Sequence, residues 1–237
     1  MHEEDGSRRA EGDLGAIETE HEQATRLVSG DSTRSRILAY NYALALYRAE
    51  KYVKSWANAK RTLKAYFADM NFGDSGVSGM SAEDVRASVP DTEERDDDLR
   101  RAGDCLDLMA KSLTKMRQPA AMEFLHAMKL YTAGMAWRSA VRAGQDAIDG
   151  LVAIHDFDGA RSIAEQFLLP AVTQYQLLDL LIPVRAQYAV VLAWCGDIDS
   201  ARSEMARLES YQLPGDGTAE LANQRSLIER IARGISV

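Results

Sequence analysis

The sequence predicts an all-α protein, and three observations lead to this prediction. Proline is scarce, with 5 in 237 residues, and the chain is rich in alanine, leucine, glutamate and arginine, which favour helices. Apolar residues recur at three- and four-residue steps along most of the chain, as they do on one face of a helix. No segment shows the alternation of apolar and polar residues, bounded by turns, that is typical of strands.

The N-terminal part of the chain combines helices with one long loop. Residues 1–12 are polar and are expected to be disordered. Five helices are predicted after them, at 13–28, 33–50, 52–70, 92–117 and 119–132. Residues 71–90 are rich in glycine and serine, which predicts an inserted loop with one turn of helix capped by Ser81. Asp91 and Glu94 have the spacing of a capping box, which would open the helix that follows.

The C-terminal part predicts five more helices joined by short links. They are expected at 135–154, from 157 onward, at 177–195, at 198–211 and at 218–233. Pro170 is expected to kink or end the second of these. The last has Leu221, Leu227, Ile228 and Ile231 on one side and would cap the array. Short links between helices predict antiparallel neighbours.

Two segments of the chain, 41 residues apart, share one pattern. The segments LVAIHDFDGARSIAEQF (151–167) and LAWCGDIDSARSEMARL (192–208) each place the motif x-D-[IF]-D-x-A-R between two apolar stretches. A helical hairpin cannot bury both of its apolar faces alone, whereas stacked hairpins bury them in a continuous core. The repetition therefore predicts stacked helical hairpins, each with small residues where its two helices cross.

The small residues and turns of these hairpins resemble a known repeat family. The expected small residues are Ala43, Ser55, Ala160, Ala189 and Ala201. With their turns, YNYALALYRAEKYVKSWANAKRTL (40–63) and RAQYAVVLAWCGDIDSARSEMARL (185–208) resemble the tetratricopeptide (TPR) repeat. The resemblance implies one domain over 13–237, in which antiparallel hairpins stack as a TPR-like right-handed superhelix; the alternative is an irregular helical bundle. The 41-residue spacing exceeds the family's usual length of about 34 residues, so longer or kinked helices are expected.

The resemblance also implies a function in binding proteins or peptides. In such arrays the first helix of each hairpin lines a groove, and the expected partner is a protein or peptide held there by an adaptor or chaperone. The candidate binding residues on these helices are Asn41, Arg48, Arg142, Gln145, Asp146, Asp149, Gln187 and Trp194. The alternatives are a peptide-sensing regulatory domain and a structural protein that forms a homo-oligomer through its C-terminal helix.

Composition and motifs argue against several other classes of protein. The net charge of −8 disfavours nucleic-acid binding. The four histidines share no metal-ligand spacing and no glycine-rich nucleotide motif is present, so we expect no enzyme activity, no cofactor and no metal. The two cysteines, far apart in the sequence, are expected to be free thiols. No apolar run is long enough for a membrane span, no signal peptide is expected, and we expect a cytoplasmic protein.

Overall fold

A computed structural model describes residues 3–28, 30–73, 76–210 and 215–234, without the side chains of 3–14 and 215–218. Within these ranges the chain forms eleven helices and no strand, which confirms the all-α prediction. None of the helices in the described ranges is long and apolar enough to cross a bilayer. One compact unit ends at Ala136 and a second begins at Trp137, whereas the sequence predicts one domain over 13–237.

The first unit contains six helices. They are α1 (Glu3–Leu27), α2 (Ser32–Arg48), α3 (Tyr52–Asp69), α4 (Ala82–Ser88), α5 (Arg95–Lys115) and α6 (Ala121–Ala133). Helices α2 and α3 begin and end within two residues of the predicted positions, because an uninterrupted apolar spacing defines both. They form a helical hairpin, and α5 packs against both α3 and α6.

The second unit contains five helices. They are α7 (Trp137–Ala153), α8, α9 (Leu178–Trp194), α10 (Ile198–Glu209) and α11 (Gly215–Ala232). Helix α8 is continuous through Phe157–Ile163, a π-helical turn at Ala164–Leu168, and Leu169–Gln174. Helices α7 and α8 form one hairpin, and α9 and α10 form the next.

The helix lengths explain the 41-residue spacing. Helices α7 and α9 are each 17 residues long, and a three-residue turn follows each of them. Their second residues, Arg138 and Asp179, are 41 positions apart and form an ion pair. Helix α7, the turn after it, α8 and the turn 175–177 together account for the 41 residues, and Arg138 and Asp179 lie side by side at equivalent positions.

The π-helical turn in α8 excludes one of the two effects expected of Pro170, the end of the helix. Proline lacks a backbone N–H, and its ring clashes with the carbonyl four residues earlier in a regular helix. The N–H of Leu169 instead donates to the oxygen of Ala164, five residues back, which widens the helix immediately before the proline. The helix therefore continues through Pro170 to Gln174 rather than ending there.

Five turns between consecutive helices share one backbone geometry. They are residues 49–51, 134–136, 154–156, 175–177 and 195–197. Their central residues, all with positive φ, are Glu50, Met135, His155, Gln176 and Gly196. The N–H of the third residue closes the turn; Asp197 donates to the oxygen of Leu192 at 2.9 Å. This is the Schellman motif, which favours glycine at the centre, yet four of the five turns hold a side chain there.

Each unit has its own core, built around small residues at helix crossings. The predicted crossing residues Ala43, Ser55, Ala160, Ala189 and Ala201 are all fully buried, as expected. In the first unit, a Cβ on Gly103 of α5 would lie only 2.9 Å from the Tyr131 ring of α6, so the absence of a side chain permits this close packing. In the second unit, Ala189, Leu192 and Ala201 join Leu208 and Ile228 in one core cluster.

The described residues of the inserted segment, 71–73 and 76–90, pack within the first unit. Ser81 caps α4 through a capping box with Asp84, as predicted for one turn of helix. Val77, Val85 and Val89 are buried, and Arg86 donates to Asp96 at 2.7 Å and to the carbonyl of Ala133. The buried valines and the two hydrogen bonds of Arg86 hold this segment within its unit.

Two helices begin at positions other than those expected. Helix α1 includes residues 3–12, where disorder is expected, since its glutamate, arginine and alanine residues favour a helix; residues 1 and 2 lie outside the described ranges. Helix α5 begins at Arg95, and Glu94 makes no capping hydrogen bond. The Asp91 carboxylate instead forms an ion pair with the Arg95 side chain at 2.8 Å, and this contact replaces the expected hydrogen bond to the backbone at the start of the helix.

Candidate functional site

The eight predicted binding residues fall into two groups. Asn41 and Arg48 lie exposed on α2 of the first unit. The others lie on α7 and α9 of the second unit: Arg142, Gln145, Asp146, Asp149, Gln187 and Trp194. Of these six, Asp149, Gln187 and Trp194 line one cavity, and Gln145 contacts Gln187 through its carbonyl. Arg142 and Asp146 are not among the lining residues.

The cavity lies within the second unit and measures about 550 Å³. Its walls come from α7, α9 and α11, together with the turn after α7 and the first residue of α8. The apolar lining residues are Ile148, Val152, Val190, Val191 and Leu227. A volume in the range of about 300–1,000 Å³, with apolar walls and few polar groups, is typical of ligand sites in proteins.

A short hydrogen-bond network forms the polar edge of the cavity. The side-chain amide of Gln187 donates to the Asp149 carboxylate at 2.7 Å and to the backbone oxygen of Gln145 at 2.9 Å. These two bonds fix the orientation of Gln187, because both acceptors require its nitrogen. The other amide atom, Oε1, is buried and accepts no hydrogen bond.

The environment of Asp149 disfavours its charge. Burial of the carboxylate raises the pKa of Asp149, and the hydrogen bond from Gln187 offsets part of this rise. Asp149 as a whole residue is nevertheless exposed, so the protein surrounds its carboxylate only in part and leaves it accessible from the cavity. The site thus presents a hydrogen-bond acceptor beside apolar walls.

Two aromatic rings form one wall of the cavity. Phe157 and Trp194 stack with centroids 5.2 Å apart and planes 4° from parallel, and His155 meets the edge of Phe157 at 5.7 Å. His155 and Phe157 line the cavity but were not predicted as binding residues. Phe157 is the apolar residue that the repeat pattern expects directly after the hairpin turn. An apolar residue at this position predicts packing between helices and does not predict binding.

The first helices of the two hairpins share the cavity. At one end of α7 and α9, Arg138 pairs with Asp179; further along, Gln145 contacts Gln187. Trp194, the last residue of α9, lines the cavity together with Val152 and Ala153 at the end of α7. The two helices therefore run side by side in the same direction, and their facing sides position the site.

The first unit contains a separate polar cluster that the sequence analysis did not identify. The hydroxyl of Tyr131 donates to Asp104 at 2.8 Å. Burial raises the pKa of Asp104 and of Asp107, and it raises the pKa of Tyr66 to about 12. Tyr66 and Asp104 line a smaller cavity of about 190 Å³, which lies below the size range of typical ligand sites.

The described residues contain no group of three or more histidine, cysteine, aspartate or glutamate side chains that could hold a metal ion. Cys105 and Cys195 are free thiols. Burial raises the pKa of both thiols, which lowers the fraction of reactive thiolate at neutral pH. Neither cysteine therefore has the environment of an activated nucleophile.

Comparison with protein-family models, with curated proteins and with solved structures finds no match to this chain. The resemblance to the TPR family consequently remains a prediction from the sequence. The identified site is a cavity of the second unit, with apolar and aromatic walls and the Asp149–Gln187 pair at its edge.

Proposed function

We propose that this chain is a protein- or peptide-binding module, of the adaptor or chaperone type, that uses the cavity of its second unit. The carrying observation is a ligand-sized cavity in which aromatic and apolar walls adjoin a hydrogen-bonded polar pair. Buried aromatic contacts supply much of the binding energy at protein interfaces, and Trp194 is placed for such a role.

The arrangement of helices supports the proposal and the TPR-like resemblance behind it. TPR-like arrays bind their partners on the first helices of successive hairpins. Here α7 and α9, the first helices of two hairpins, line the cavity together with α11. The ion pair between Arg138 and Asp179, at equivalent positions of the two helices, supports a regular stacking of the hairpins.

The C-terminal helix gives less support to the alternative of self-association. Leu221 and Ile228 of α11 are buried in the core of the second unit, and Leu227 lines the cavity. The apolar side of this helix is thus used inside its own unit, which leaves little apolar surface for a second copy.

We also propose a cytoplasmic location. The supporting observation is that Cys105 and Cys195 are free thiols, as is usual in a reducing compartment.

Selection of a randomised heptapeptide library, displayed on phage, tests the proposed function. Peptides enriched on the wild-type chain are titrated by isothermal calorimetry against wild type and Trp194→Ala. We expect an affinity loss of tenfold or more, because truncation of a central aromatic contact typically costs about 2 kcal/mol or more.

Trp137→Ala is the matched control, since Trp137 belongs to the same unit and stacks on Tyr175 without lining the cavity. Circular dichroism establishes that both variants fold. Enrichment of no peptide, or equal affinity losses in the two variants, would show that the cavity is not a peptide site.

A further inference from the structure

Asp149 is a carboxylate that lines the cavity and has no cationic partner among the described residues, unlike three arginine-paired carboxylates of the same unit. Asp179, Glu165 and Glu229 each accept a hydrogen bond from an arginine, and the pKa of each is lowered. The arginine is the main cause for Asp179 and Glu229, whereas for Glu165 the hydrogen bond from the Tyr188 hydroxyl comes first and that from Arg161 second. For Asp149, burial raises the pKa, and the opposing contribution comes from the neutral amide of Gln187. Among the described residues, no basic side chain forms an ion pair with Asp149.

The surroundings of this carboxylate suit an alkyl chain that ends in a cation. Ile148 and Val191 give the cavity apolar walls against which methylene groups can pack. Phe157 and Trp194 line the same cavity, and aromatic faces attract guanidinium and ammonium groups. The surroundings of Asp149 disfavour its ionised form, and a cation close to the carboxylate would favour that form.

The charge of the whole chain acts in the same direction. With a net charge of −8, the protein attracts basic segments and repels acidic ones, and this attraction raises the rate of association. The local carboxylate and the overall field therefore favour the same class of partner.

We propose that the cavity binds an arginine or lysine side chain of a partner peptide, an inference that rests on the proposed peptide-binding function. The cationic head group donates to the Asp149 carboxylate, and the methylene stem packs between the apolar walls and the rings of Phe157 and Trp194. Gln187 is a positioning residue, since its amide holds the carboxylate at 2.7 Å.

Four blocked pentapeptides with the sequence acetyl-Ala-Ala-X-Ala-Ala-amide test this specificity. The central residue X is arginine, lysine, norleucine or glutamate, and binding to the full chain is followed by ¹H–¹⁵N chemical-shift titration. We expect the arginine and lysine peptides to bind about tenfold more tightly than the norleucine peptide, because a charge-assisted hydrogen bond is added. We expect the glutamate peptide to bind most weakly.

The variant Asp149→Asn isolates the charge, since an asparagine oxygen can still accept the hydrogen bond from Gln187. It should remove the preference for the two cationic peptides over the norleucine peptide. Asp199→Asn is the matched control, because Asp199 is exposed on α10 of the same unit and outside the cavity, and it removes the same overall charge.

Two results would overturn the inference. If the norleucine peptide binds as tightly as the arginine peptide, and Asp149→Asn changes neither affinity, the cavity does not select cations, while the peptide-binding function stands. If none of the four peptides shifts a resonance, cation recognition is also excluded. The library selection does not depend on a basic residue, so it tests the proposed peptide-binding function independently of this result.

Discussion

The variant Gly196→Ala tests the geometry shared by the hairpin turns. Gly196 has φ +83°, a conformation that costs an L-residue free energy because its Cβ approaches the backbone. No heavy atom lies within 4 Å of the position that a Cβ on Gly196 would occupy, apart from the neighbours in the chain. The substitution therefore changes the backbone preference without creating a clash elsewhere.

The expected loss follows from two opposing contributions. Alanine in the left-handed region costs about 1–2 kcal/mol in the folded state. Alanine also restricts the unfolded chain, which offsets about 0.4–1 kcal/mol of this cost. The free energy of unfolding should thus fall by about 0.8 kcal/mol, which corresponds to a Tm decrease of about 2–3 °C for a chain of this size.

The turn at 49–51 provides the reciprocal experiment. Glu50 is exposed and has φ +59°, so Glu50→Gly should raise the free energy of unfolding by about the amount that Gly196→Ala lowers it. Glu50→Ala is the control, because it removes the same side chain and keeps the backbone cost. Urea unfolding followed by circular dichroism measures all three variants.

A left-handed conformation at both turns requires that Gly196→Ala lower the stability and Glu50→Gly raise it. If Gly196→Ala leaves stability unchanged, Gly196 does not occupy the left-handed region in solution. If Glu50→Gly and Glu50→Ala change stability equally, the side chain of Glu50 and not its backbone conformation determines the effect.

Three further predictions concern the cores and their charges. Ala201→Leu should lower the free energy of unfolding by about 1–3 kcal/mol in urea titrations, because the fully buried Ala201 leaves no room for the added methylene and methyl groups. Gly103→Ala should lower the Tm, since its Cβ would lie 2.9 Å from the Tyr131 ring; an unchanged Tm would mean that α5 and α6 can move apart. Burial raises the pKa of Asp104 in the folded state, so the ionised group opposes folding above that pKa. The stability of wild type relative to Asp104→Asn should therefore increase as the pH is lowered from about 7 to about 4 in urea titrations, and a difference independent of pH would contradict the burial of this charge.

Helix positions were predictable wherever one amphipathic pattern ran without interruption. The spacing of apolar residues defined α2 and α3 to within two residues, and the small residues Ala43 and Ser55 marked their crossing. Both features depend on local sequence, since helix periodicity repeats every three or four residues.

Features that depend on several competing interactions were not predictable. The motif at Asp91 and Glu94 matches a capping box, but an arginine four residues after Asp91 competes successfully for its carboxylate. Pro170 has a strong tendency to end a helix, but a π-helical turn accommodates it inside α8. In both cases the local preference was real and a neighbouring interaction outweighed it.

The candidate site was predictable in part. The sequence placed Asp149, Gln187 and Trp194 on the first helices of hairpins, and the three residues share one cavity. Asn41 and Arg48 were chosen by the same rule but lie in the first unit, away from these residues in the chain. His155 and Phe157 were missed because a turn residue and a packing residue carry no binding signal until the fold shows what they face.

The 41-residue repeat explains why the helices were easier to predict than the residues that line the cavity. Forty-one residues separate α7 from α9 position by position, and along this spacing Asp149 corresponds to Val190 and Trp194 corresponds to Ala153. All four residues line the cavity, yet each pair differs in charge, size or polarity. The repeated small residues and turns build two equivalent helices, whereas these four cavity residues occupy positions at which the two copies differ. The proposed specificity therefore depends on the positions where the repeats diverge, and the divergence at Asp149 places one carboxylate where the other copy has a valine.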